Sequence, residues 1–326
     1  MLKIITYLVI VSVGVAFASI GDRSPVYQRC LDRCQILNCS EDGTVFVSDH
    51  HQAVHLKTLA WSCLDECKYN CMWKTVESFH QRNWKTPQFH GKWPFIRLFG
   101  IQEPASFAFS LLNLIVHLKM IKKFHRQVRS DSPLYWLWFG FCLICCNAWF
   151  WSAIFHARDF PLTELLDYAC AFSIVLVNCY VMQIRIFRYV FPRFLHIILT
   201  IFFLAFFVNH TAYLSMGRFD YEYNMQLNVL VGTITAISWF IWAVLKRNKQ
   251  PYVWKCSVYV AMTGLVLMLE IIDQPPIFYV FDCHSLWHLA TAPLVVLIYS
   301  FAIDDCCYLR KTEIEAAADK YRSKIR

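Results

Sequence analysis

Charged residues are scarce in this chain of 326 residues. Asp, Glu, Lys and Arg make up 17% of it, whereas hydrophobic residues make up 57%, with aromatic side chains at 17%. A soluble domain carries more charge, so this composition excludes an ordinary soluble protein and predicts a membrane protein. The chain also has no long low-complexity run, no internal repeat, no Gly-rich phosphate loop and no G-x-S-x-G elbow.

The N-terminus has the features of a secretory signal. Lys3 precedes an apolar run from Ile4 to Phe17, and Ala16-Phe17-Ala18 has the small-x-small form that signal peptidase cleaves. We therefore expect residues 1–18 to be a signal peptide. A signal-anchor helix is the alternative, but the run is short for a bilayer span.

Residues 19–100 form a polar segment with six of the fifteen cysteines: Cys30, Cys34, Cys39, Cys63, Cys67 and Cys71. An even number behind a signal peptide predicts an oxidising compartment and a disulfide-rich lumenal domain. The i,i+4 spacings suit two antiparallel helices with nested disulfides Cys30–Cys71, Cys34–Cys67 and Cys39–Cys63. Six cysteines nevertheless allow fifteen pairings, and a zinc module is the competing interpretation. Asn38-Cys39-Ser40 is a glycosylation sequon.

Seven apolar segments follow, each long enough to cross a bilayer. They lie near 104–121, 134–155, 164–184, 193–214, 226–245, 253–272 and 284–303. We therefore predict an all-α membrane protein, with seven transmembrane helices within residues 101–310 and a cytosolic tail at 311–326.

Basic residues are concentrated in alternate loops, which predicts the orientation. They follow the first, third, fifth and last segments: Lys119, Lys122, Lys123, Arg126, Arg129, Arg185, Arg188, Arg193, Lys246, Arg247, Lys249, Lys255, Arg310 and Lys311. The positive-inside rule makes these loops cytosolic and the N-terminal segment lumenal. Topology thus explains the net charge of +8, and we expect no nucleic-acid partner.

Five polar side chains fall at one predicted membrane depth. Ser152 and His156 end the second segment, Asp167 begins the third, and His284 and His288 begin the seventh. Both pairs are spaced i,i+4 and so share a helix face. A lone serine or histidine in a membrane helix is usually structural. Convergence from three parts of the chain favours a functional site, and three histidines with an open position suit a catalytic zinc ion.

Three sequence blocks resemble the Per1-like family. They are Asn147-Ala-Trp-Phe-Trp-Ser152-Ala-Ile-Phe-His156-Ala-Arg-Asp159, then Leu162-Thr-Glu-Leu-Leu-Asp167-Tyr168, then Asp282-Cys-His284-Ser-Leu-Trp-His288. The cysteine block is similar as well, so the resemblance covers nearly the whole chain after the signal peptide.

That family belongs to the CREST superfamily of seven-span membrane hydrolases. The resemblance implies a zinc ion held by His156, His284 and His288, with Ser152 and Asp167 beside it. It also implies the substrate, a glycosylphosphatidylinositol (GPI) anchor on a protein, from which the sn-2 acyl chain is removed in the manner of a phospholipase A2. The implied location is the Golgi membrane, with the endoplasmic reticulum as the alternative.

The implied chemistry agrees with the residue types. Zinc-bound water ionises near neutral pH, Asp167 can take its proton, and Ser152 or the metal can stabilise the oxyanion. An acylated Ser152 is the alternative. Two rival functions are a ceramidase-like lipid amidase and a non-enzymatic seven-span receptor or chaperone. The large cysteine-rich segment favours a substrate with a bulky head, and the complete Ser, Asp and three-His set disfavours a receptor.

Overall fold

The computed structural model describes residues 19–47, 52–217 and 219–325. The predicted signal peptide, residues 1–18, lies outside these residues. The part of the chain that the structure describes is helical, with isolated β-bridges and no strand. The chain divides into two compact units, one comprising residues up to Pro104 together with Asp273–Asp282, the other Ala105–Ile272 and Cys283–Arg326. We call them the cysteine-rich unit and the bundle unit.

The cysteine-rich unit contains α1 (Pro25–Asn38), α2 (Val54–Thr58) and α3 (Cys63–Gln81). α1 begins where it does because Ser24 accepts a hydrogen bond from the Val26 amide and Pro25 occupies the first turn. α3 begins with a capping box, in which Ser62 and Asp65 each accept a hydrogen bond from the other's backbone amide.

Three disulfides join α1, and Cys39 directly after it, to α3. They confirm the nested pairing: Cys30–Cys71, Cys34–Cys67 and Cys39–Cys63. The i,i+4 spacing places two cysteines on one face of α1, and the matching spacing places their partners on one face of α3. The zinc module considered above is not supported, because all six thiols are in disulfides.

The segment between the sixth and seventh long helices belongs to the cysteine-rich unit. The Ile96 amide donates to the Tyr279 carbonyl at 2.9 Å, and the Trp73 and Tyr279 rings meet edge to face with centroids 4.9 Å apart. Asp273 accepts hydrogen bonds from Gln88 and from the Trp93 indole. The sequence alone marked this segment only as a connecting loop.

Seven helices are long and apolar enough to cross a membrane, as predicted. They are α4 (Pro104–Gln127), α5 (Tyr135–Ala157), α6 (Pro161–Phe187), α7 (Arg193–Ser215), α8 (Tyr221–Lys246), α9 (Trp254–Ile271, preceded by a 3-10 turn at Pro251–Val253) and α10 (Cys283–Ile325). Most ends lie within a few residues of the predicted ones.

The last helix is the exception, because it continues through residues 311–325 of the predicted tail. Past Pro293, α10 contains no proline or glycine, and its final part is rich in Ala, Glu and Lys, which favour helix. An i,i+4 ion pair between Lys311 and Glu315 adds modest support. Residue 310 is therefore not a helix end.

The core of the bundle unit combines aromatic rings with a buried ion pair. Trp138 and Trp239 both pack edge to face on Phe301, with centroids 5.9 and 5.5 Å away. Near them, Arg185 on α6 donates to both carboxylate oxygens of Asp305 on α10, at 2.8 and 2.7 Å. Arg185 lies in the last turn of α6, and Asp305 lies near the middle of α10.

Candidate metal centre

The long helices bring chemistry-bearing residues together at one end of the bundle unit. Side-chain contacts join the first two turns of α4 and α10 to each other and to the last turns of α5 and α9. α6 begins at the same level, since its Tyr168 ring lies 6.1 Å from that of Phe155 near the end of α5. The chain direction alternates between consecutive helices, so each contributes only its start or its end here.

Three histidines form the centre of this site. The Nε2 atom of His284 lies 3.4 Å from Nε2 of His156 and 2.9 Å from Nε2 of His288. One ligand atom from each of the three falls within 4.8 Å of the others. His156 and His288 are buried and His284 is half-buried. The structure therefore brings together the three residues that the sequence predicted as metal ligands.

Two residues that were not predicted from the sequence contact the Nδ1 atoms of His284 and His288, on the side of each ring away from Nε2. Nδ1 of His284 lies 2.7 Å from Oε2 of Glu270, at the end of α9. Nδ1 of His288 lies 2.9 Å from Oγ of Ser110, on α4. A carboxylate on Nδ1 fixes the ring's orientation and keeps Nε2 available as a ligand, which is the usual arrangement around metal-bound histidine.

The donor set fits a metal ion. If the carboxylate of Glu270 holds the Nδ1 proton, Nε2 of His284 presents a lone pair towards the other two Nε2 atoms. Lone pairs so close repel one another unless a cation lies among them. Zn–N bonds of 2.0–2.1 Å in a tetrahedral site separate two nitrogens by roughly 3.3 Å, near the separations found here. Three neutral imidazoles suit zinc among the common biological metals.

Aromatic rings and an amide pack around the histidines. Trp149 meets His288 edge to face with centroids 5.1 Å apart, and Trp287 stacks on His284 at 5.7 Å. The Asn113 amide on α4 donates to the His288 carbonyl at 2.7 Å. Together with the hydrogen bonds to Glu270 and Ser110, these contacts restrict the rotation of the two rings of α10.

The other two predicted site residues lie at the same end of the bundle unit. Ser152 is buried one turn before His156, and its Oγ lies 3.0 Å from Oγ of Ser110. Asp167 lies in the second turn of α6 and is half-buried. It directly precedes Tyr168, whose ring contacts Phe155, the neighbour of His156. The chemical roles of Ser152 and Asp167 stay predictions.

Comparison with known proteins gives a consistent set of matches. The model of the Per1-like family matches residues 53–306, which include every residue of this site. Post-GPI attachment to proteins factor 3 of Drosophila melanogaster is 48% identical over 292 residues, 88% of this chain and 89% of that protein. GPI-specific phospholipase A2-like PGAP3 of Xenopus tropicalis is 41% identical, over 94% of this chain and 96% of that protein. The protein of the same name in Homo sapiens is 40% identical, over 91% of this chain and 92% of that protein. No solved structure matches the chain significantly.

Proposed function

Because this chain belongs to the Per1-like family, we propose that it remodels the lipid of GPI anchors by hydrolysing the sn-2 acyl ester. The names of two relatives support the substrate and the bond, since both are called GPI-specific phospholipase A2-like. The activity is therefore that of a membrane lipid hydrolase acting on GPI-anchored proteins. We further propose that this hydrolase depends on zinc.

The convergence of three imidazole Nε2 atoms carries the zinc proposal. His156 comes from the end of α5, whereas His284 and His288 come from the start of α10. Glu270 contacts Nδ1 of His284, so that its Nε2 faces the other two rings. A cluster with only a structural role has no need of three such nitrogens facing one another.

Each residue of the site has a role in the proposed reaction. A zinc ion bound there would supply a water of near-neutral pKa and polarise the ester carbonyl. The three histidines hold the ion, Asp167 accepts the proton of the attacking water and returns it to the leaving alkoxide, and Ser152 hydrogen-bonds the reacting groups. Asp167 suits the task because a carboxylate can take up a proton and give it back within one reaction cycle.

The location of the site suits a lipid ester. It lies at the ends of helices that can cross a membrane, where acyl chains meet the polar head groups. One imidazole, that of His284, is about one-third exposed, whereas the other two rings are buried. We propose that this end faces the lumen of the Golgi, with the endoplasmic reticulum as the alternative, so that the glycan stays in water.

Five purified variants test the proposal. We expect His156→Ala, His284→Ala and His288→Ala each to lose bound zinc and fatty-acid release from a GPI-anchored protein. Asp167→Asn should keep most of its zinc and lose activity, because an amide cannot take the proton. Ser152→Ala should keep zinc and lose part of the activity. Full activity in any two of the histidine variants would exclude the zinc mechanism. Absence of fatty-acid release from the wild-type protein would instead favour a receptor or chaperone.

A further inference from the structure

We infer that Ser110 is a positioning residue whose single hydroxyl group sets both the tautomer of His288 and the direction of the Ser152 hydroxyl. The inference rests on the proposed zinc site and extends it to a residue on α4. Ser110 is fully buried. It lies on α4 and contacts a side chain of α5 and a side chain of α10, at the end of the bundle unit that holds the three histidines.

Three polar atoms surround the Ser110 oxygen. The backbone carbonyl oxygen of Ser106 lies 2.8 Å away, one turn earlier on α4. Nδ1 of His288 lies at 2.9 Å and Oγ of Ser152 at 3.0 Å. All three distances are those of ordinary hydrogen bonds.

A count of hydrogens assigns the direction of each bond. A serine hydroxyl has one hydrogen to donate and two lone pairs that accept. The Ser106 carbonyl can only accept, so the hydrogen of Ser110 goes to it. The two lone pairs of Ser110 then accept from the other neighbours, which makes Nδ1–H of His288 and O–H of Ser152 the donors.

The consequence for His288 is the ligand tautomer. With its proton on Nδ1, a neutral imidazole has an unprotonated Nε2. The Glu270 carboxylate imposes the same tautomer on His284, because a carboxylate also only accepts. The opposite direction, with Ser110 donating to His288, would place a proton on the Nε2 atom that faces His284 at 2.9 Å. That proton would prevent metal binding.

The consequence for Ser152 is a restriction on its role. Its only hydrogen is donated to Ser110, so it presents lone pairs to the reacting groups. Ser152 therefore accepts a hydrogen bond, from the attacking water or from a substrate hydroxyl. It does not donate to the oxyanion, and stabilisation of that charge falls to other groups in the site.

A matched pair of substitutions at Ser110 tests this assignment. Thr keeps the hydroxyl, and Val has nearly the same shape without it, so any overpacking is common to both variants. Zinc affinity is measured on the full-length purified protein by competition with a chelator. We expect Ser110→Val to bind zinc about 10- to 100-fold more weakly than Ser110→Thr, and Ser110→Ala to be weakened relative to the wild type by a similar factor.

Ser106→Ala is the control, since it removes a buried serine hydroxyl for which the described residues offer no hydrogen-bond partner, and it leaves the backbone carbonyl in place. It should retain wild-type zinc affinity. Equal zinc affinity in the Thr and Val variants would overturn the inference about Ser110. A wild-type protein that binds no zinc, or a His156→Ala variant that binds it equally well, would instead overturn the proposed function, so the two failures are distinguishable.

Discussion

At the scale of single residues, Glu270 shows how a group that does not face the three Nε2 atoms can decide what they bind. Its carboxylate lies 2.7 Å from Nδ1 of His284 and is half-buried at the end of α9. Without it, His284 can rotate or carry its proton on Nε2, and both changes remove a ligand from the centre.

We therefore predict that Glu270→Ala weakens zinc binding by about 10- to 100-fold, as measured by chelator competition. Glu270→Gln should weaken it less, because the amide oxygen still accepts from Nδ1–H while the negative charge is lost. Glu222→Ala is the control, since Glu222 is an exposed residue of α8 whose carboxylate accepts a hydrogen bond from Gln226, one turn later on the same helix. Unchanged zinc affinity in Glu270→Ala would show that packing alone orients His284.

The three histidines could be predicted from the sequence, but the residues that hydrogen-bond to them were not predicted. The i,i+4 spacing of His284 and His288 in an apolar segment indicated a site. Glu270 carried a usable signal too, because an acidic residue inside the predicted span 253–272 is costly without a partner. Ser110 carried none, because serines in membrane helices commonly bond their own backbone, and its contacts with His288 and Ser152 join distant parts of the chain.

At the scale of helices, covalent and ionic links join elements that are far apart in the sequence. The Cys34–Cys67 disulfide links α1 to α3 across a sequence separation of 33 residues. We expect Cys67→Ser to lower the free energy of unfolding by about 2–5 kcal/mol and to reduce the amount of folded protein. Cys307→Ser, which removes an exposed free thiol, is the control. Wild-type levels of folded Cys67→Ser protein would argue that the apolar contacts between α1 and α3 suffice.

The buried Arg185–Asp305 pair gives a second prediction at this scale. Its side chains are 5% and 0% exposed, and the Tyr252 hydroxyl also donates to Asp305. Asp305→Asn should destabilise the bundle unit by about 3–5 kcal/mol, because it leaves a buried charge uncompensated. Lys311→Ala, in the exposed pair with Glu315, should cost at most about 1 kcal/mol. Thermal unfolding in detergent compares them, and similar melting temperatures would contradict the account.

Helix positions were predictable from hydropathy, whereas two features of the elements were not. The continuation of α10 through residues 311–325 depends on helix-forming residues that apolar patterning does not detect. The assignment of Asp273–Asp282 to the cysteine-rich unit depends on contacts such as that between Trp73 and Tyr279. Such contacts join residues far apart in sequence, so local patterns do not show them.

At the scale of the whole molecule, the alternation of basic loops makes a prediction about topology. A tag after Arg326 should be digested by protease added to intact microsomes, because the basic loops and the C-terminus are expected in the cytosol. A tag placed just after Ser19 should be protected. Permeabilised microsomes provide the control, since both tags should then be digested. Protection of both tags in intact microsomes would contradict an odd number of spans.

The most direct test of the central claim is lipid mass spectrometry of GPI-anchored proteins from cells that lack this protein. We predict that their anchors retain the original sn-2 acyl chain, that the wild-type gene restores its removal, and that His284→Ala, expressed at the same level, does not. Anchors with a normal sn-2 position in the deficient cells, or full restoration by His284→Ala, would contradict the assignment of this site as the centre that hydrolyses the GPI acyl ester.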